Sequence, residues 1–168
     1  MGQFKHLDLL HFVQQQGFPE TEEAESVGKY RALMFQPRLI GVIGVIAIVF
    51  QSAPLFLALS SLLWWNVLLP RYNPFDALYN ALIAGPKELP RLDPAPPPRR
   101  ASQGMAATIM LGIGATLLGG WPMVSWVLQG LLVVISVLLN RKFCVGSYVY
   151  HLVKGNIAYA NRTLPWAK

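Results

Sequence analysis

The sequence predicts an all-α membrane protein: two transmembrane helical hairpins, four membrane helices in all, with short interfacial helices on the cytoplasmic side. Three observations predict it. Of the 168 residues, 54% are apolar and only 13% charged, roughly half the charge of an ordinary soluble domain. Residues 39–70 and 101–140 contain no Asp, Glu, Lys, Arg or His. Each block is about twice as long as one crossing needs, and each is broken near its middle. The breaks are Gln51-Ser52-Ala53-Pro54 and Gly119-Gly120-Trp121-Pro122. A helix running through Pro54 loses a backbone hydrogen bond and clashes with its preceding turn, so each block folds back on itself.

Charge sets the expected orientation. Residues 1–38 carry net −1, residues 71–100 net +2 and residues 141–168 net +5, which accounts for the whole +6. Neither hairpin turn carries a Lys or Arg. The positive-inside rule therefore places both termini and the central stretch in the cytoplasm of a bacterial inner membrane. This asymmetry explains a pI near 9.7 without nucleic acid, for which no recognisable module is present.

Residues 1–35 are expected to form cytoplasmic helices. They do not read as a secretory signal, because Asp8 interrupts the apolar run and no small-residue cleavage site follows. Position 6 is His6 rather than Ser or Thr, against myristoylation of Gly2. Phe4, Leu7, Leu10 and His11 share one helical face over residues 3–16, ended by Gly17. A second helix is expected over residues 20–35, with Glu20, Glu22, Glu23 and Glu25 at its start and Lys29 and Arg31 near its end, as the helix dipole favours. Two placements stay open for this pair: the membrane surface or a partner, and a solvated cap on the chain's own bundle.

The first hairpin spans residues 36–70. From Pro37 to Ser52 is sixteen residues, roughly 24 Å of helix against a hydrocarbon core of about 30 Å. Full spanning needs local thinning; re-entrant insertion is the alternative. Trp64 and Trp65 near one end and Trp121 and Trp126 near the other look like two aromatic belts and favour spanning. Gly41 and Gly44 allow close backbone approach.

Residues 71–104 form the only polar interval between the blocks. Asn73 can cap a short helix, Pro74 suits its first position, and Asp76 falls in its first turn. Phe75, Leu78, Tyr79, Leu82 and Ile83 share a side, and Gly85-Pro86 stops the helix. The proline-dense strip from Pro90 to Pro98 is expected to be extended. It ends on Arg99-Arg100, just ahead of the third membrane helix. A bidentate bond from one of these arginines to Asp76, the nearest acid in sequence, would tie the central helix to the second hairpin. The plainer reading is that both arginines only hold the topology.

In the second hairpin, residues 105–140, a stripe of small residues recurs every fourth position: Gly104, Thr108, Gly112, Thr116 and Gly120. Such a stripe packs on its own hairpin partner or marks a contact with another subunit or copy. Asn66 and Gln129 read as interhelical hydrogen-bonding glue. Leu68-Leu69-Pro70-Arg71 matches Leu138-Leu139-Asn140-Arg141 at an offset of 70, a faint sign of a duplicated hairpin. Residues 141–168 form a basic tail.

The words PRYNPFDALYN, PAPPPRRASQGM and KFCVGSYVY, in that order between two uncharged hairpins, resemble a bacterial membrane family catalogued only as a domain of unknown function, number forty-three ninety-five in that series. The resemblance covers about residues 36–152. It picks out Asn73, Pro74, Phe75, Asp76, Tyr79, Pro98, Arg99, Arg100, Gln103, Gly104, Phe143, Cys144, Gly146 and Tyr150. A second cysteine that some relatives carry is Ser147 here, against dithiol chemistry, and the usual phenylalanine after the arginines is Ala101. The resemblance implies a membrane fold and location, and no activity.

Chemistry adds little. A single cysteine excludes an intrachain disulfide. His6, His11 and His151 lie outside the apolar blocks, which disfavours buried tetrapyrrole ligation, and the sequence indicates no cofactor. The blocks hold no intramembrane acid or base of the kind transporters use. The leading expectation is therefore a non-catalytic accessory or scaffold subunit of a larger respiratory or photosynthetic membrane complex, partnered by lipid and by other subunits or itself. The alternative is a thiol-dependent or small-ligand-binding membrane protein using Cys144, which has Arg141 and Lys142 nearby in sequence.

Overall fold

The computed structural model describes residues 2–86, 89 and 91–165, without the side chains of residues 2–6, 23 and 24. Pro90 and Lys87 lie outside the described residues. Within them the chain is helical, with no strand. The elements are α1 (Gly2–Gln15), α2 (Glu23–Leu33), α3 (Phe35–Val49), α4 (Ala53–Leu68), α5 (Pro74–Tyr79), α6 (Pro97–Leu118), α7 (Pro122–Asn140), α8 (Val145–Val153) and α9 (Ile157–Arg162).

Three helical stretches are long and apolar enough to cross a membrane: Glu25–Val49, Pro97–Leu118 and Pro122–Asn140. The first joins α2 to α3 through Met34 alone, whose backbone stays in the right-handed helical region. Helix α4 is apolar but shorter, at 16 residues. The breaks fall at the expected places: Gln51 turns the first hairpin at φ 46° and Gly120 turns the second at φ 70°.

Helix α6 is the spine. It packs against α4, α7 and α8. The main core gathers Ile40, Phe56, Leu63, Ala107, Ile113 and Leu132 from α3, α4, α6 and α7, with Phe75 from α5. Gln51 and Gln129 exchange two amide hydrogen bonds of 3.0 Å across the hairpins, and Ser60 donates to the Ala107 carbonyl at 2.8 Å. Inside a bilayer such bonds join helices that apolar packing alone would not orient. Asn66 is the exception: it is fully buried, and neither amide atom reaches a partner among the described residues.

Several expectations need correction. Helix α6 begins at Pro97, so the proline strip is extended only through Pro96 and the paired arginines lie inside the helix. Proline is tolerated in a first helical turn because no backbone donor is needed there. The small-residue stripe is not one surface. Gly104 faces Val67 of α4 and Gly112 faces Leu128 of α7, while Thr108 and Gly120 are exposed. Thr108 and Thr116 instead bond back to the carbonyls of Gly104 and Gly112. The buried side of α6 runs through Arg99, Gln103, Ala107 and Met110.

In α1 the buried residues among those described are Phe12, Val13 and Gln15, with Gln16 buried just after it, whereas Leu7 is 43% exposed; the side chain of Phe4 lies outside the described set. Helix α1 meets the bundle through its last turn, where Phe12, Val13, Leu33, Met34 and Cys144 form a second cluster. Gln15 accepts the Cys144 amide at 3.0 Å, and Tyr159 donates to the Gln14 carbonyl at 2.9 Å. The N-terminal helix therefore caps its own bundle.

Candidate functional site

The site is built at the polar end of the bundle, from the starts of α3, α5 and α6. Asn73 caps α5: its side-chain oxygen accepts from the Phe75 and Asp76 amides at 3.0 and 3.4 Å. This leaves the Asn73 amide nitrogen free to donate to Asp76 Oδ2 at 2.8 Å. The carboxylate so held receives Arg99 in a bidentate pair, Nη2 to Oδ1 at 2.7 Å and Nη1 to Oδ2 at 3.1 Å. Arg99 and Asp76 are only 4% and 6% exposed. The link expected between the central helix and the second hairpin thus exists, made by Arg99. Arg100 instead donates to the Val67 carbonyl at 3.0 Å, satisfying an end of α4.

Gln36, on α3, is the hub that sequence reasoning missed. Its oxygen accepts from Arg99 Nη2 at 3.2 Å and Gln103 Nε2 at 2.9 Å, with Asn73 Nδ2 at 3.5 Å. These contacts fix the amide orientations, because a guanidinium can only donate. The Gln36 atom facing Arg99 must be oxygen, so the Gln103 atom facing Gln36 must be nitrogen. Gln103 Oε1 is then left buried with no partner among the described residues. Nothing in the sequence around Gln36 signalled this role except its place ahead of Pro37-Arg38.

A partly open cleft of about 710 Å³ runs from this network between α3 and α7, over α6. Its walls are apolar and include Ile40, Ile48, Met110 and Leu132. Gln36, Arg99, Ser102, Gln103 and Cys144 line the polar end. Gly41 and Gly44 do not bring backbones together as expected. A Cβ at either position would have no heavy atom within 4 Å, although Gly44 is classed as buried. Both glycines keep the cleft wide.

Cys144 is 5% exposed and precedes α8, its sulfur 3.1 Å from Ser102 Oγ. Ser102 also bonds Ser147 Oγ at 2.8 Å and the Pro98 carbonyl at 3.1 Å. Lys142 is engaged 3.3 Å from Asp8. Gly146 has a steric reason: a Cβ there would lie 2.5 Å from Ser102 Cα, so α8 sits directly on α6. Phe143 packs edge-on against Tyr148, with ring centroids 5.5 Å apart.

Tyr79 meets Phe35 with ring centroids 5.6 Å apart and planes tilted by 55°, and burial raises its phenol pKa above 10.0. Pro74, Phe75 and Tyr79 therefore position α5 without touching the cleft. Asn73, Arg99 and Gln103 converge on Gln36, and Asp76 joins them through Arg99 and Asn73; Phe143, Cys144 and Gly146 belong to the neighbouring α6–α8 contact.

Compared with known proteins, the model of the family described as "Domain of unknown function (DUF4395)" matches residues 30–154. No curated protein and no solved structure matches.

Proposed function

Since the chain belongs to the DUF4395 family, whose description names no activity, we propose from its own geometry that it is a non-catalytic integral membrane protein. It serves as an accessory or scaffold subunit of a larger bacterial membrane complex, of respiratory or photosynthetic type. The observation that carries this reading is the division of the surface. Large apolar side chains stand exposed along the bundle, among them Val49 at 70%, Phe50 at 75%, Leu118 at 69% and Val127 at 71%. The charged residues all lie outside residues 39–70 and 101–140. Helices α3, α4, α6 and α7 then enter the bilayer as two hairpins, and α1, α2, α5, α8 and α9 cap them in the cytoplasm. Helix α4, at roughly 24 Å, is accommodated by local thinning.

Co-purification from native membranes in mild detergent tests the subunit role: a stoichiometric protein partner supports it, and a solitary chain refutes it. Cysteines placed at Ser52 and Gly120 are expected to label from outside, and one at Arg91 from the cytoplasm. The native Cys144, being buried, gives little background. Cytoplasmic labelling at both turns would replace spanning with re-entrant insertion.

A second reading, a small-ligand-binding membrane protein, is favoured by the cleft beside Cys144. In that reading the buried thiol is part of the wall and does no chemistry of its own.

A further inference from the structure

We propose that the groove between α3 and α7 binds one anionic phospholipid of the cytoplasmic leaflet, with its acyl chains between the helices and its phosphate on Arg38. This rests on the small-ligand reading and is independent of the subunit role.

The groove is a wedge shut at one end. Gln51, just past α3, and Gln129 on α7 exchange two amide hydrogen bonds of 3.0 Å, which pin the two helices together there. The lining begins beyond this bridge, at Ile48 on α3 and Leu132 on α7, and runs to Arg38 and Asn140, with Ala106 and Met110 of α6 as its floor. From Gln129 to Asn140 the axis of α7 rises roughly 16 Å, against a hydrocarbon core of about 30 Å. That is the depth of one lipid leaflet. A spanning helix needs about 20 residues and the whole thickness, and the Gln51–Gln129 bridge stands across its path.

The walls suit hydrocarbon. Ser136 lies on the α7 wall, but its hydroxyl donates to the Leu132 carbonyl at 2.8 Å. Gly44 is buried, and a Cβ there would meet no heavy atom within 4 Å, so the space beside α3 is left unfilled by the chain. The lips of the groove are Val42, Val45, Val133 and Val137, between 46% and 61% exposed. An apolar rim of this kind opens to lipid and not to water. Surrounding acyl chains enter such a space because an empty groove forfeits dispersion contacts along its whole lining.

Charge selects the head group. The charged residues lining the groove are Arg38 and Arg99, with no acid beside them. Arg99 is neutralised by the bidentate carboxylate of Asp76. Arg38, at the cytoplasmic start of α3, is exposed and has no acidic partner among the described residues. A guanidinium takes phosphate oxygens in a bidentate fork, and a singly negative head leaves the mouth of the groove neutral.

The test titrates the full chain in detergent with dioleoyl phosphatidylglycerol, competed by dioleoyl phosphatidylcholine and by glycerol 3-phosphate, with bound lipid counted by native mass spectrometry. One phosphatidylglycerol is expected to bind saturably, about fivefold tighter than phosphatidylcholine, and glycerol 3-phosphate does not compete. Arg38→Gln reduces the preference to under about twofold, whereas Arg38→Lys, which keeps the charge, holds it above about threefold. Gly44→Leu fills the groove with a good helix former and lowers binding of both lipids at least about tenfold without lowering the melting temperature.

Equal affinity for the two lipids, with binding still lost in Gly44→Leu, overturns the head-group assignment and leaves the small-ligand reading standing. Full preference retained in Arg38→Gln overturns the role of Arg38. Competition by glycerol 3-phosphate at parity makes the site one for free phosphate and overturns the lipid. No saturable binding of either lipid, or undiminished binding in Gly44→Leu, overturns the groove as a site and the small-ligand reading with it. A co-purifying protein lost on Gly44→Leu, with no lipid bound, makes the groove a helix dock and also overturns the proposal.

Discussion

Replacing Asp76 with alanine leaves the Arg99 guanidinium charged, buried and without its carboxylate. Three hydrogen bonds are lost at once: those from Arg99 Nη1 and Nη2, at 3.1 and 2.7 Å, and that from Asn73 Nδ2 at 2.8 Å. Arg99 keeps only Gln36 Oε1, and its side chain is 5% exposed. Breaking a buried pair from one side costs about 3–5 kcal/mol. From the sequence alone, the loss of a first-turn charge predicts roughly 0.5–2 kcal/mol at most.

For a chain of this size each kcal/mol lowers Tm by about 2–4 °C, so Asp76→Ala is expected to fall by roughly 6–20 °C in detergent. Arg99→Lys keeps the charge but loses the fork and should cost less. Asp76→Ala combined with Arg99→Met removes both charges and should be more stable than Asp76→Ala alone. Intrinsic fluorescence melts on monodisperse fractions supply the measurement. A fall below about 2 °C for Asp76→Ala, or a double variant as unstable as the sum of the singles, would refute the buried-pair reasoning.

Three further outcomes follow from other contacts. Gly146→Ala sets a Cβ 2.5 Å from the Ser102 backbone, which cannot yield as a flexible side chain would, so melting should show a loss of about 1–3 kcal/mol. Gln51→Leu or Gln129→Leu each strands the opposite amide and should cost about 1–3 kcal/mol, while the double substitution costs less than either single; equal losses would discount the reciprocal pair. The Tyr79 phenol is raised by burial from 10.0, so the folded state favours the neutral form. Its contribution is fully present below about pH 10 and is lost as pH rises through the higher folded value. Tyr79→Phe should therefore flatten the decline in Tm between about pH 9 and 11.

The sequence by itself determined the helical class, the two apolar blocks and the positions of both hairpin turns. Those properties are local: a charge-free run, a proline and a glycine act wherever they stand. The Asn73 cap and the Asp76 first-turn position were legible for the same reason, and a bond from one of the paired arginines to Asp76 was one of two readings the sequence left open, which the structure makes with Arg99.

Tertiary structure alone decided what depends on which helices meet. Gln36 is an unremarkable amide until α3, α5 and α6 converge on it. The same convergence fixes Gln103 with its oxygen unpaired. Gly41, Gly44 and the stripe on α6 look alike in sequence, since small residues serve close packing and open space equally. Only the neighbours tell them apart: Leu128 stands against Gly112, and nothing stands against Gly44.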